Sequence, residues 1–139
     1  MEKIIVIDGK EVGFRATALT PSLYRHKIGR DIVRDLNQLK RSYEKAVAAR
    51  NIKHPGENAT EDQLAEYNAA MQDAQLSVMD LEIFENAAFV MARQYDQTIP
   101  NTPEEWLEGF AVFSIYEILP EILSLWQLNQ QTTSTPKKK

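Results

Sequence analysis

Four apolar residues in succession, Ile4 to Ile7, run into Asp8-Gly9. Beyond that pair, Val12 and Phe14 alternate with polar or small positions as far as Arg15. Asp-Gly suits a two-residue type I′ turn, in which both positions need positive φ, so the stretch predicts a β-hairpin. In that register Ile7 faces Lys10 and Ile5 faces Val12. Ile5, Ile7, Val12 and Phe14 then share one face, the natural core side. Ile4 and Val6 point the other way. An isolated hairpin is marginal in water, so this second apolar face needs cover from the same chain or from another copy. Ile4 and Val6 are therefore candidate oligomer contacts.

From Thr20-Pro21 the period becomes helical, with threonine as the expected N-cap and proline at the first helical position. Leu23, Tyr24, Ile28, Ile32, Leu36, Leu39, Tyr43 and Val47 recur mostly three or four apart, with Gly29 placed to kink or split the run. Asn51 to Ala59 contains Pro55-Gly56 and reads as a loop. Thr60 and Gln63 make a capping-box pattern that opens a second helical region. That region carries Leu64, Tyr67 and Met71, breaks near Gln72 to Ser77, and continues to about Tyr95. After a connector, Gln97 to Asn101, the run Thr102-Pro103-Glu104-Glu105 is a helix start: cap oxygen, proline and acids facing the helix dipole. The last helical stretch carries Trp106, Leu107 and Phe110 and continues as Ser114 to Leu128, with Pro120 inside it.

These elements predict an α+β fold, mainly α: an N-terminal hairpin, four or five packed helices and a disordered C-terminal tail. One domain is expected over residues 1–128, followed by a flexible polar tail over 129–139.

On a helical wheel Ile115, Leu119, Ile122 and Trp126 form the centre of a stripe. Tyr116 and Leu123 widen it on one side, Ile118 and Leu125 on the other. The arc covers about 180°, against the roughly 100° that a single core contact requires. Either the helix is wedged deep in its own fold or part of it meets a second surface. Farther upstream, Phe89 falls on the wheel among Glu82, Glu85, Asn86 and Arg93, a polar side on which an aromatic hints at a partner contact.

Composition narrows the function. Of 139 residues 43% are hydrophobic and 26% charged, ordinary for a globular chain. The net charge of −4 disfavours nucleic-acid binding, which calls for a basic face. Without cysteine, neither a disulfide framework nor a thiolate metal site can form. No apolar run reaches the roughly eighteen residues that cross a bilayer, and the start MEKIIVIDGKE lacks a signal peptide's apolar stretch. A soluble intracellular protein is expected, with no membrane partner.

Candidate chemistry is sparse. His26 and His54 lie far apart and read as solvated surface residues. Asp31 with Asp35, and Glu82 with Glu85, have helical spacing but lack the Glu-x-x-His pattern of a di-iron bundle, so solvated helix faces are expected. There is no phosphate-binding glycine loop and no nucleophile elbow. The sequence predicts neither an enzyme nor a cofactor or metal site.

The run DLEIFENAAFVMARQYDQTIPNTPEEWLEGF, followed by FSIYEILPEILSLWQLN, resembles the tail assembly chaperones of long-tailed bacteriophages and prophages of Gram-positive hosts. The pieces are a helix ending FVMARQYD, a short link, the TPEEWLEGF helix start and the final ILPEILSLW helix. The hairpin IDGKEVGFRAT and the helix YRHKIGRDIVRDL fit the same pattern, so the resemblance covers nearly the whole chain apart from the loop around Asn51 to Ala59. It implies a non-catalytic assembly factor that binds the tape-measure protein in the host cytoplasm, helps recruit tail-tube subunits, self-associates, and is absent from the finished tail. Phe89, Trp106, Phe110, Tyr116, Leu123 and Trp126 are the candidate partner-binding residues. A different virion component, such as a connector or minor tail protein, and a small helical regulatory protein are the competing readings.

The chain ends QQTTSTPKKK, too short and isolated a basic stretch for nucleic-acid binding. Genes of the resembled family often yield two products by programmed frameshifting near the stop codon. Lys137 to Lys139 stand where an A-rich slippery site would lie. A solubilising basic tail and an expression remnant are the other readings of these lysines.

Overall fold

The computed structural model describes residues 1–50, 55–73 and 76–134. Asp8 and Gly9 both take positive φ, 54° and 73°. This is the left-handed pair that a type I′ turn requires. It joins β1 (Glu2–Ile7) to β2 (Lys10–Arg15) in the expected register, Ile7 opposite Lys10 and Ile5 opposite Val12. Ile5, Ile7 and Phe14 are buried and Val12 is half-buried. Ile4 and Val6 remain 50% and 66% exposed. On the outer face the Tyr95 ring lies against Gly13, which pairs with Ile4, and a Cβ added to Gly13 would land inside that ring. Glycine admits this close approach. Gly13→Ala is expected to cost about 1–2 kcal/mol by forcing Tyr95 off the strand and away from the Arg15 guanidinium that stacks on it. In a Tyr95→Ala background the same change should cost little, which urea unfolding of the four-member cycle would measure.

Among the described residues six helices follow: α1 (Thr20–Ile28), α2 (Ile32–Arg50), α3 (Glu61–Asp73), α4 (Val78–Tyr95), α5 (Pro103–Glu108) and α6 (Ile115–Ser134). The α+β, mainly α class stands as expected, with one helix more than the four or five predicted. Gly29, at φ 81°, closes α1 by donating its N–H to the Arg25 carbonyl and splits the first helical run. Gly109 ends α5, and the non-helical turn that follows brings Phe110 and Phe113 back onto Trp106. The predicted continuity from Trp106 into the last helix is thereby corrected.

Two helix ends differ from expectation. Thr20 lies inside the first turn of α1 and is not its cap; Leu19 precedes it without a side-chain cap bond. The Thr20 hydroxyl instead accepts from the Thr17 N–H at 2.8 Å and donates to Gln94 Oε1 at 2.6 Å. It ties α1 to the far end of α4. At the other end of the chain α6 continues through Ser134, past the Leu128 limit set by the apolar pattern. The rest of the expected flexible tail, with Lys137 to Lys139, lies outside the described residues, as do positions 51–54 of the expected loop.

Thr60 and Gln63 form the predicted capping box at α3. A second box, Ser77 with Asp80, opens α4. The Asp80 carboxylate is buried and also accepts from Ser42 Oγ at 3.2 Å, fixing the start of α4 to α2. Thr102 caps α5 through the Glu105 N–H, as the sequence indicates.

Helix α4 is the central element, packed against β2, α1, α2, α5 and α6, whereas α3 leans chiefly on α2. At the middle of the core the Trp106 ring meets Phe14, Phe89, Phe110 and Phe113, with centroids 5.4–6.3 Å apart and mostly edge-on. Aromatic quadrupoles favour this arrangement.

Candidate partner surface

The apolar arc of α6 is consumed internally. Ile118, Leu119, Ile122, Leu123, Leu125 and Trp126 are all buried, between β1 on one side and α4 on the other. Ile115 and Tyr116 are half-buried, and the Tyr116 ring sits 6.4 Å from that of Tyr43 on α2. Of the two readings of the wide arc, the deeply wedged helix is the one observed. Leu123 and Trp126 thus belong to the core, as does Trp106 at 4% exposure, while Phe110 is half-buried against it. Trp126 Nε1 has no hydrogen-bond acceptor among the described residues.

Phe89 is the clearest correction. It does lie on the polar side of α4, yet it is fully buried. The Lys27 ammonium sits 6.0 Å above its ring and is held there by a 2.8 Å bond to Asn101 Oδ1, while Trp106 packs beside it. The lysine, anchored by the asparagine, roofs the position that a wheel leaves open.

The acidic pairs also divide. Asp31 is exposed and caps the start of α2 by accepting from the Val33 N–H. Asp35 is buried, contrary to the solvated-face expectation. Arg30 clamps it with two bonds of 2.7 Å and the Tyr24 hydroxyl donates to it at 2.8 Å. Burial opposes the charge on Asp35, but the bonds from Arg30 and Tyr24 and the charges of Arg30 and Arg34 prevail, holding it below the ordinary carboxylate value. The arrangement locks α1 to α2 and exposes nothing for chemistry. His26 is exposed, with Nδ1 2.8 Å from the Ser22 carbonyl, and His54 lies outside the described residues. Among the described residues no group of three or more His, Asp or Glu side chains is placed to hold a metal ion, and no helix is long and apolar enough to cross a membrane.

Exposed apolar surface lies elsewhere. At the start of α4, Val78 is 81% exposed, Met79 50% and Leu81 38%. Val78, Leu81, Pro103 and Leu107 line a groove of about 390 Å³ between α4 and α5, edged by Glu82, Glu85 and Glu104. A second groove, of about 380 Å³, has Leu19, Leu23 and Val90 in its lining and Arg15, Lys27 and Arg93 at its edge. No sequence signal singled out either one, because each is shared by elements distant in the chain.

Partial burial, with the charges of Glu82 and Glu104, raises the pKa of Glu85. A carboxyl whose folded pKa lies above its unfolded value binds more protons folded than unfolded. It therefore lowers stability as pH rises through that interval, and not below it. Glu85→Gln is expected to raise stability at pH 7 by less than about 0.5 kcal/mol, solvent screening included. The gain should vanish below the ordinary glutamate pKa of 4.5, which thermal melts at the two pH values would test.

Comparison with known proteins returns no match: no family model fits the chain, and no curated protein or solved structure is similar to it.

Proposed function

We propose that this chain is a non-catalytic tail assembly chaperone that binds the tape-measure protein in the host cytoplasm and helps recruit tail-tube subunits. The observation that carries the reading is the apolar surface at the start of α4. Val78, Met79 and Leu81 stay in solvent although the chain has a well-filled core to receive apolar side chains. Val78 and Leu81 line one groove and Met79 a neighbouring one, and exposed apolar side chains rimmed by polar residues favour protein binding. The ordered segments IDGKEVGFRAT, FVMARQYD, TPEEWLEGF and ILPEILSLW support it from the sequence. Their large apolar residues are mostly core, so the resemblance concerns the scaffold, and the binding surface is assigned to the residues that scaffold leaves exposed. Ile4 and Val6, exposed on the outer hairpin face, are the proposed contact between copies.

Co-expression with the tape-measure protein of the same phage or prophage tests the reading. The chaperone is expected to shift that protein from the insoluble to the soluble fraction and to co-purify with it. Equal solubility with and without this chain would overturn the reading.

A further inference from the structure

The two grooves beside α4 differ in one respect that decides between them. In the basic groove each cation already has a partner in the fold. Arg15 pairs with Glu2 and donates to the Gln94 carbonyl. Lys27 donates to Asn101, and Arg93 donates to the carbonyls of Gln97 and Ile99. In the acidic groove Glu82, Glu85 and Glu104 have neither an ion pair nor a hydrogen bond among the described residues. Arg30, which borders the same side of α4 near Glu82, is forked onto Asp35. Among the described residues the three carboxylates therefore edge an apolar floor with no cation bonded to them, the nearby Arg30 charge being engaged by Asp35. Burial first, and then the charges of Glu82 and Glu104, raise the pKa of Glu85.

We infer that the α4–α5 groove docks one helix of a partner protein through a face that carries leucine-type side chains flanked by lysine or arginine. The floor of Val78, Leu81, Pro103 and Leu107 takes the apolar anchors. The groove follows α4 from Val78 to Asn86, about 13 Å at 1.5 Å per residue, which accommodates two turns of a docked helix. Glu82, Glu85 and Glu104 then receive its cations, and their mutual repulsion is relieved on binding. This rests on the reading of the chain as a binding protein and adds the place and the charge of the partner's face.

Two labelled helical peptides of equal length serve as probes, one of leucine and lysine, the other of leucine and glutamate. The Leu/Lys peptide is expected to bind in anisotropy titrations, to weaken with salt, and to shift the amide resonances of Val78, Leu81 and Leu107. The Leu/Glu peptide is expected not to bind. The triple variant Glu82→Gln, Glu85→Gln, Glu104→Gln should weaken the Leu/Lys peptide roughly tenfold, with an unchanged far-UV spectrum. Val78→Ser, at an exposed position, should also weaken it with the charges left in place. Equal binding of the two peptides, undiminished binding by the triple variant, or shifts centred on Leu19 and Arg93 would overturn the assignment.

Co-expression separates the two claims. A triple variant that solubilises the tape-measure protein as well as the parent chain does removes the groove and leaves the chaperone reading standing. A parent chain that binds the Leu/Lys peptide at the groove but leaves the tape-measure protein insoluble does the reverse.

Discussion

Replacing Trp106 by alanine is expected to remove about 3–5 kcal/mol of stability, the range for deleting a buried tryptophan. The indole is 4% exposed and is ringed by Phe14 from β2, Phe89 from α4, and Phe110 and Phe113 from the turn after α5. Truncation leaves a void bordered by four rings, held by three different stretches of backbone. Collapse around it would require the hairpin, α4 and the α5–α6 turn to move together, so little of the cavity can close. A domain of this size has about 5–15 kcal/mol in total, so the variant should unfold at markedly lower urea concentration. Trp106→Phe, which keeps part of the packing, should lose less. A loss under about 1 kcal/mol in urea unfolding would show that these rings do not meet as described.

Asp35→Ala is expected to cost about 2–3 kcal/mol, because it leaves the Tyr24 hydroxyl buried without an acceptor and frees Arg30 from the α1–α2 junction. Removing both polar partners should be gentler. In Tyr24→Phe the aspartate change loses the part of its cost that comes from the orphaned hydroxyl. Burial, together with the hydrogen bond and charge of Asp35, pushes the Tyr24 phenol far above its usual value, so it remains a donor throughout the stable range. For Asp35 the sign runs the other way from Glu85. Its folded pKa is depressed, so its contribution is present above its unfolded value of 3.8 and disappears as pH falls through the lower folded value. Acid titration of stability, comparing the parent with Asp35→Asn, should show a shallower decline in the variant below that pH. Parallel curves would remove Asp35 from the acid response.

Where a residue's conformation is set by its immediate neighbours, the sequence was readable. Asp8-Gly9 could adopt few other turns, Gly29 had to end a helix, and Thr60 with Gln63 lay at capping distance. The Ser77–Asp80 box carried the same local signal, an Ser-x-x-Asp ahead of an apolar run, and was there to be found. Burial was less readable, because it depends on what arrives from elsewhere. A helical wheel gives one inside and one outside, but α6 is gripped by β1 and α4 together, so its wide arc was core. Phe89 is covered by Lys27, which Asn101 holds in place, and by Trp106, residues that no spacing rule connects to it. Asp35 reads as surface until Arg30 and Tyr24 close around it. The acidic groove needed α5 to bring Glu104 beside Glu82 and Glu85, a pairing with no trace in either segment alone.

The uneven packing of the helices has a consequence for how the molecule opens. Helix α4 is gripped on several sides, whereas α3 rests chiefly on α2. Opening free energies follow such differences, since a segment that buries little can detach without exposing the rest. The chain is therefore built in two tiers: α3 can fray and re-form many times while the aromatic centre around Trp106 stays closed, and only the loss of that centre unfolds the whole.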